Sequence, residues 1–154
     1  MINLGVIGAT GSVGSSVMSV CSAWPDKIHV EALAANKRSE KLLNLAKKFN
    51  VSKIYPYEEF GDEGLEKIST DENINHVVFS SSGTKAIKAL CSALNSGKNV
   101  SLANKESIVV AGKWVMPLIK HSEQLRPVDS EHNAIWQCLH GDDKKFVKKI
   151  LWGK

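Results

Sequence analysis

The sequence predicts an α/β fold, a doubly wound parallel sheet, and three observations carry that expectation. Short apolar runs alternate with longer stretches whose apolar residues recur at helical spacing. The first run stops at a glycine-rich turn that opens a helix. The chain has 154 residues, 43% of them hydrophobic and 23% charged, enough for one globular domain with a real core.

Residues 2–7 (INLGVI) form the first strand, which stops at glycine. A helix is expected over about 13–23, closed by Trp24-Pro25-Asp26. Residues 28–35 (IHVEALAA) read as the second strand. Over 39–49, Leu42, Leu45, Ala46 and Phe49 fall at helical spacing. Ile54-Tyr55 is a weak third strand, and residues 56–75 are acidic and read as loop, with one short helix around 64–69. Residues 76–80 (HVVFS) are a buried strand. Over 84–95, Ile87, Leu90, Cys91 and Leu94 make one helix face, and Gly97 ends that helix. A strand at 99–103, a helix over roughly 106–121, a strand at 124–128 and a short helix at 131–139 complete the alternation. Such alternation implies a parallel sheet with helices on both faces, a Rossmann-like arrangement. Residues 146–152 read as a further strand that begins where the sequence stops, so the fold is expected to be truncated.

Lys and Arg number 20 against 16 Asp and Glu, a formal charge of +4. That excess is too mild to imply nucleic acid and is compatible with an anionic ligand. Cys21, Cys91 and Cys138 show no C-x-x-C spacing and read as reduced thiols, outside any metal site or disulfide. No apolar run approaches the ~18 residues of a membrane span. A first strand at Ile2 leaves no room for a signal or transit peptide. A cytoplasmic protein that binds neither nucleic acid nor membrane is expected.

The turn reads Gly8-Ala9-Thr10-Gly11-Ser12-Val13-Gly14. Gly8 permits the tight exit from the strand, Gly11 lets backbone N–H groups approach a pyrophosphate, and Gly14 lets the helix pack closely on the sheet. Thr10 and Ser12 add hydroxyl donors beside the positive end of the helix. The spacing is G-x-x-G-x-x-G rather than the commoner G-x-G-x-x-G, so its force comes from its place between strand and helix. The second strand then ends in Ala34-Ala35-Asn36-Lys37-Arg38. No carboxylate stands there for a ribose 2′-hydroxyl, whereas Lys37 and Arg38 suit a 2′-phosphate, which favours NADP over NAD. The competing reading makes both cations solvated residues that begin the next helix.

Two further segments carry polar residues at strand ends. In Leu102-Ala103-Asn104-Lys105-Glu106-Ser107, a helix cap accounts for Asn104 and Glu106 but not for Lys105. In Pro127-Val128-Asp129-Ser130-Glu131-His132, two carboxylates two positions apart form part of a site for a hard divalent cation. The bland alternative is a capped helix start, with Asp129 or Ser130 as the cap.

Taken in order, the glycine turn, the Leu-Ala-Asn-Lys-Glu-Ser segment and the Pro-Val-Asp-Ser-Glu-His segment make the chain resemble the 1-deoxy-D-xylulose 5-phosphate reductoisomerases. The resemblance covers essentially the whole chain but only the first part of a family member. It implies a metal-assisted rearrangement of 1-deoxy-D-xylulose 5-phosphate, followed by reduction with NADPH to 2-C-methyl-D-erythritol 4-phosphate, in non-mevalonate isoprenoid synthesis. The metal would be Mg²⁺, Mn²⁺ or Co²⁺, polarising substrate oxygens, and the protein would supply mainly position and field.

By the same resemblance Gly8, Thr10, Gly11, Ser12, Val13 and Gly14 hold NADPH, with Asn36, Lys37 and Arg38 at the adenosine end. The family usually reads Gly-Lys-Asn there, so only Lys37 matches. Asn104 and Glu106 would also contact the cofactor. Lys105, Ser130 and Glu131 would touch the phosphosugar substrate, with Lys105 and Glu131 catalytic and Asp129 and Glu131 the metal ligands. The implied layout is an NADP-binding domain over 1–124 and the beginning of a catalytic domain over 125–154. The fold would stop before the catalytic and C-terminal helical domains are complete. A third carboxylate ligand, a mobile substrate loop, most phosphate-binding groups and the C-terminal helical domain would lie beyond residue 154, and Trp152-Gly153-Lys154 departs from the family pattern. Family members are homodimers, and the isolated chain is expected to bind NADPH without turning over. Two other readings stand beside this one. A semialdehyde or acyl-phosphate reductase would use Cys138 near His140 as nucleophile, and a non-catalytic module would only bind NADP.

Overall fold

The structure, a computed structural model, describes residues 1–140 and 144–150. Strands and helices alternate from the start: β1 (Ile2–Ile7), α1 (Ser12–Ala23), β2 (Ile28–Ala35), α2 (Glu40–Lys48), β3 (Lys53–Pro56) and α3 (Tyr57–Thr70). They continue as β4 (His76–Phe79), α4 (Ile87–Asn95), β5 (Asn99–Leu102), α5 (Lys105–Val115), β6 (Leu125–Pro127) and α6 (Ser130–Cys138). Every strand pair is parallel, and the order across the sheet is β3-β2-β1-β4-β5-β6. The chain winds one way from β1 to β3 and the other way from β4 to β6. The reversal between β1 and β4 opens a crevice at the carboxyl ends of those strands, where such sheets take their ligands.

Two apolar layers cover the sheet. Leu4, Val6, Val30, Leu33 and Ala35 pack against Met18 and Cys21 of α1 and Leu42 and Ala46 of α2. Ile7, Ala32, Ala34, Val77 and Phe79 face the other way, onto Leu65 and Ile68 of α3 and Leu90 and Leu94 of α4. Full burial of side chains such as Phe79, Ile7 and Leu33 contributes about 1.5–3 kcal/mol each. The two faces stay in register through one bulge. Leu4 lies opposite Val30 but Gly5 lies opposite Ala32, so Glu31 is an extra residue. The bulge leaves Glu31 free to bind Lys53 Nζ at 2.7 Å, and Asp71 takes the same ammonium at 2.6 Å. The hydrogen bonds that Lys53 donates to Asp71 and Glu31 hold its pKa up at about 12.

Four expectations change. Residues 57–70 are helical rather than mostly loop, bent at Gly61 (φ 54°, ψ −145°), and α3 buries Gly64, Leu65, Ile68 and Ser69. The helix expected to reach 121 stops at Val115, and Met116–Leu118 tightens into a 3₁₀ turn. Pro117 explains this: it lacks an N–H and its ring clashes with the carbonyl one turn earlier. The helix expected from 84 starts at Ile87. The strand expected over 146–152 is absent where it can be followed: Lys144–Phe146 is a 3₁₀ turn and 147–150 carry no regular structure. Residues 151 and 152, and with them the Trp152-Gly153-Lys154 departure, lie outside the described residues. All three cysteines are free. Burial pushes the Cys21 and Cys91 thiols up, which disfavours their thiolate forms. No helix among the described residues is long and apolar enough to cross a membrane.

One buried titratable group makes stability pH-dependent. His76 opens β4, and its Nε2 lies 2.9 Å from Ser101 Oγ on β5. Burial, helped by the nearby Arg126 charge, lowers its pKa to about 4. The unfolded chain takes a proton at His76 below about pH 6.5, while the folded chain refuses it until about pH 4. Between those values the unfolded state binds more protons, so stability falls as the pH drops through that window. Urea titrations at pH 7 and pH 5 should show the unaltered chain losing about 1–2 kcal/mol more than His76→Gln. Equal losses in the two proteins would remove His76 as the cause.

Candidate functional site

The site is built from the ends of four strands that all point the same way. At the end of β1 the N–H groups of Gly8 and Ala9 both donate to Ala34 O of β2, each at 2.9 Å. Gly8 takes φ +91°, and a Cβ there would sit 2.6 Å from Ser81 N, after β4. A Cβ on Gly14 would lie 2.2 Å from Gly8 O. The turn is therefore closed on itself by backbone, with no volume for side chains. Gly11 caps α1 without a side-chain hydrogen bond. The N–H groups of Ser12, Val13 and Gly14 come before any intrahelical acceptor, and the positive end of the helix adds to them. Thr10 is partly buried, while Gly11, Ser12 and Val13 face solvent. A closely approached pyrophosphate fits this backbone cradle and would meet no Cβ at Gly11.

Asn36, Lys37 and Arg38 are exposed at the end of β2. The strand end itself carries no carboxylate, as expected, but two arrive from α3. Arg38 makes a two-point pair with Glu59, Nε to Oε1 at 2.6 Å and Nη2 to Oε2 at 2.8 Å. Glu58 Oε1 accepts from Arg38 N at 3.0 Å. The Glu59 hydrogen bonds raise the Arg38 pKa, and Arg38 in turn holds the Glu59 carboxyl below its ordinary value. Lys37 has no ion pair among the described residues. A residue that the sequence pattern did not single out, Lys41 of α2, reaches the glycine turn: its Nζ donates to Thr10 O at 2.7 Å and to Ser15 Oγ at 2.9 Å.

At the β5 end Asn104 caps α5 and is 2% exposed. Its Oδ1 accepts from Ser107 N at 3.1 Å, and its Nδ2 donates to Ser81 O and Gly83 O at 2.8 and 2.6 Å. The amide thereby ties α5 to the loop that follows β4 and lies beside Gly8. Glu106 stands in the helix's first turn, which favours an acid. At the β6 end Asp129 caps α6, accepting from His132 N at 3.2 Å and contacting His132 Nδ1 at 2.5 Å. Burial works to raise its pKa, but the His132 hydrogen bonds outweigh it and the carboxyl stays below its ordinary value. The capping readings of Asn104 and Asp129 thus both hold.

Lys105 lies between these two caps. A cavity of about 760 Å³ runs between α5, β6 and α6, and Lys105, Asp129 and His132 line it with Leu125, Pro127 and Trp136. A backbone hydrogen bond, the Ser130 hydroxyl (2.9 Å) and the Lys105 charge hold the Glu131 carboxyl below its ordinary value. The structure therefore brings Lys105, Asp129, Ser130 and Glu131 close together. His132 joins them through its hydrogen bonds to Asp129. Its spacing, three residues after a helix cap, was the available signal. The described residues contain no group of three or more His, Cys, Asp or Glu able to hold a metal ion. Two carboxylates fall short of the set an octahedral cation needs. The Cys138 alternative finds little support, because the His140 ring stacks on Trp136 (4.7 Å between centroids) and faces Glu123 at 3.7 Å.

The sequence profile of the 1-deoxy-D-xylulose 5-phosphate reductoisomerases matches residues 4–59 and 52–112. A 1-deoxy-D-xylulose 5-phosphate reductoisomerase of Chlamydia trachomatis serovar D is 37% identical over 169 aligned positions, covering 98% of this chain and 45% of the relative. The Zymomonas mobilis enzyme of that name, solved in complex with NADPH, superposes with a TM-score of 0.87 at 30% identity, over 96% of this chain and 44% of that one. A DOX-P reductoisomerase solved with magnesium gives 0.85 at 35%, over 92% of this chain and 40% of that one. The chain thus spans less than half the length of the relatives it matches.

The glycine turn predicts its own sensitivity. Gly14→Ala places a methyl 2.2 Å from Gly8 O and 2.7 Å from the Ala9 carbonyl carbon, both backbone atoms. Chemical denaturation should show a loss of at least about 1–3 kcal/mol. A neutral result would mean that the turn and α1 can part without cost.

Proposed function

The chain belongs to the 1-deoxy-D-xylulose 5-phosphate reductoisomerase family, and from that membership we propose that it is the NADPH-binding part of such an enzyme. The full reaction is the NADPH-dependent conversion of 1-deoxy-D-xylulose 5-phosphate to 2-C-methyl-D-erythritol 4-phosphate in non-mevalonate isoprenoid synthesis. In this reading the enzyme works in the cytoplasm as a homodimer. Residues 1–124 serve the cofactor, and residues from 125 onward begin the catalytic part.

The observation that carries the reading is a shared edge. The Gly8–Gly14 turn, Lys37, Lys105 and the Asp129/Glu131 pair all sit at the carboxyl ends of parallel strands, on both sides of the β1/β4 crevice. The backbone of Thr10, Gly11, Ser12, Val13 and Gly14 receives the pyrophosphate, and Asn36, Lys37 and Arg38 surround the adenosine end. Asn104 and Glu106 approach the cofactor from the start of α5. NADPH supplies hydride, and the protein's task is to hold acceptor and donor in register while water is kept away.

Lys105 and Ser130 meet the phosphosugar, and Lys105 places a cation where negative charge develops on substrate oxygen. Asp129 and Glu131 would contribute two ligands toward Mg²⁺ or Mn²⁺, and the described residues do not complete that shell. A second reading, a module that binds NADP without catalysis, describes the same residues acting alone.

Fluorescence titration should give tighter binding of NADPH than of NADH, and Lys37→Ala should weaken NADPH by about 1.5–3 kcal/mol. Equal affinities for the two cofactors would overturn the NADP assignment. NADPH oxidation, followed by its absorbance with 1-deoxy-D-xylulose 5-phosphate and Mn²⁺ present, should not exceed background for the 154-residue chain. Substrate-dependent oxidation abolished by Glu131→Ala would show that these residues already hold a working site. Calorimetry with Mn²⁺ should give only weak binding, and tight binding lost in Asp129→Ala would show a more complete shell.

A further inference from the structure

We propose that Lys41, with Lys37, binds the 2′-phosphate of the dinucleotide, and that Arg38 does not. The inference rests on the NADPH reading above and changes which cation completes it. Arg38 has the position but not the free charge. Its guanidinium is taken at two points by Glu59, and the Glu58 carboxylate stands on its backbone N–H. A phosphate arriving there meets a pair close to neutral with a second carboxylate beside it, so attraction to Arg38 is offset by repulsion.

Lys41 presents the opposite case. It stands in the first turn of α2, just after the end of β2. Its ammonium reaches back 31 residues in sequence to Thr10 O and 26 to Ser15 Oγ, both neutral oxygens. Ser15 Oγ in turn donates to Gly11 O at 2.8 Å, so the ammonium is fixed to the cofactor turn itself. No carboxylate pairs with Lys41 among the described residues, and its charge is uncompensated. The two bonds also set its place. Lys41 spans the gap between the turn that receives the pyrophosphate and the strand end that receives the adenosine ribose. Lys37, also without an ion pair among the described residues, is exposed at the end of β2, four residues before Lys41. Two ammonium groups without a carboxylate partner near one strand end suit a phosphate dianion, and each keeps donors in hand: an ammonium carries three, and Lys41 uses two.

The experiment compares NADPH and NADH dissociation constants at low salt for the unaltered chain and for Lys41→Ala, Lys41→Arg, Arg38→Ala and Lys37→Ala. Lys41→Ala should weaken NADPH about tenfold or more while NADH stays within about twofold. Lys41→Arg should restore most of the NADPH affinity, and Arg38→Ala should leave the NADPH-to-NADH ratio near its starting value. A merely structural role, holding the turn through Thr10 and Ser15, would weaken both cofactors equally in Lys41→Ala, and that result overturns the proposal. So does a loss in Arg38→Ala as large as in Lys41→Ala. If the unaltered chain prefers NADPH and Lys37→Ala removes the preference while Lys41→Ala does not, the inference fails and the cofactor reading stands. If the unaltered chain binds neither dinucleotide, both fail together.

Discussion

The backbone closure of the Gly8–Gly14 turn is the constraint on which the ligand-facing edge depends. Three strand ends meet there, held almost wholly by backbone contacts. Gly8 and Ala9 are bonded to Ala34 of β2, Ser80 N and Ser80 Oγ both reach Ile7 O at 2.8 Å, and the Gly14 Cα face lies on Gly8 O. Backbone-to-backbone contact of this kind has no rotamers to adjust, so the helix end and its N–H groups are held in one place. The rest of the edge is fastened to that point: Lys41 to Thr10, and Asn104 through Ser81 to the loop packed on Gly8. An anion cradle pre-organised this way binds without first ordering itself.

Much of this was legible in the sequence where the signal is local. The bounds of β1 and β2 follow from an apolar run ended by glycine and from another ended by exposed polar residues. The glycine spacing announces the turn because each glycine answers a separate steric demand. Asn104 and Asp129 are recognisable as caps, and a cap at the carboxyl end of a strand already sits where ligands bind. The α3 segment was not legible, for a physical reason. Gly61 takes a positive φ and divides the segment, so neither half shows enough apolar positions to reveal its period. The Arg38–Glu59 pair and the Lys41 contact span 21 and 31 residues, and no local pattern carries them. Two adjacent cations at a strand end look equivalent in sequence and differ in the fold by a carboxylate brought from another helix.

A similar long-range device fixes the far side of the sheet. β6 is a three-residue edge strand, too short to hold its place by its ladder alone. Gln124, fully buried just before it, donates to Leu94 O and Lys98 O and accepts from Lys120 N, while its own carbonyl takes Val100 N at 2.7 Å. Every polar atom of that side chain is used, which is the condition for burying an amide without cost. Through β6 the same residue positions Asp129 and the start of α6, so the carboxylate pair depends on a glutamine that touches neither carboxylate.

The two ends of the edge are therefore held by different physics, and their tolerance differs. The cofactor end is backbone packed on backbone, closed on both faces by α1, α2, α3 and α4. The end carrying Lys105 and Asp129 borders an open apolar cavity, and Val109 of α5 (83%) and Met116 of the following 3₁₀ turn (53%) are exposed along it. Charges in such an opening are screened by water, so Lys105 exerts a far weaker field there than it would in a closed site. In the proposed function, dinucleotide recognition draws only on the half closed by backbone. Chemistry at a substrate carbonyl needs fixed charges in a dry volume, so in the proposed function Lys105 and Glu131 gain their effect only when that face is covered.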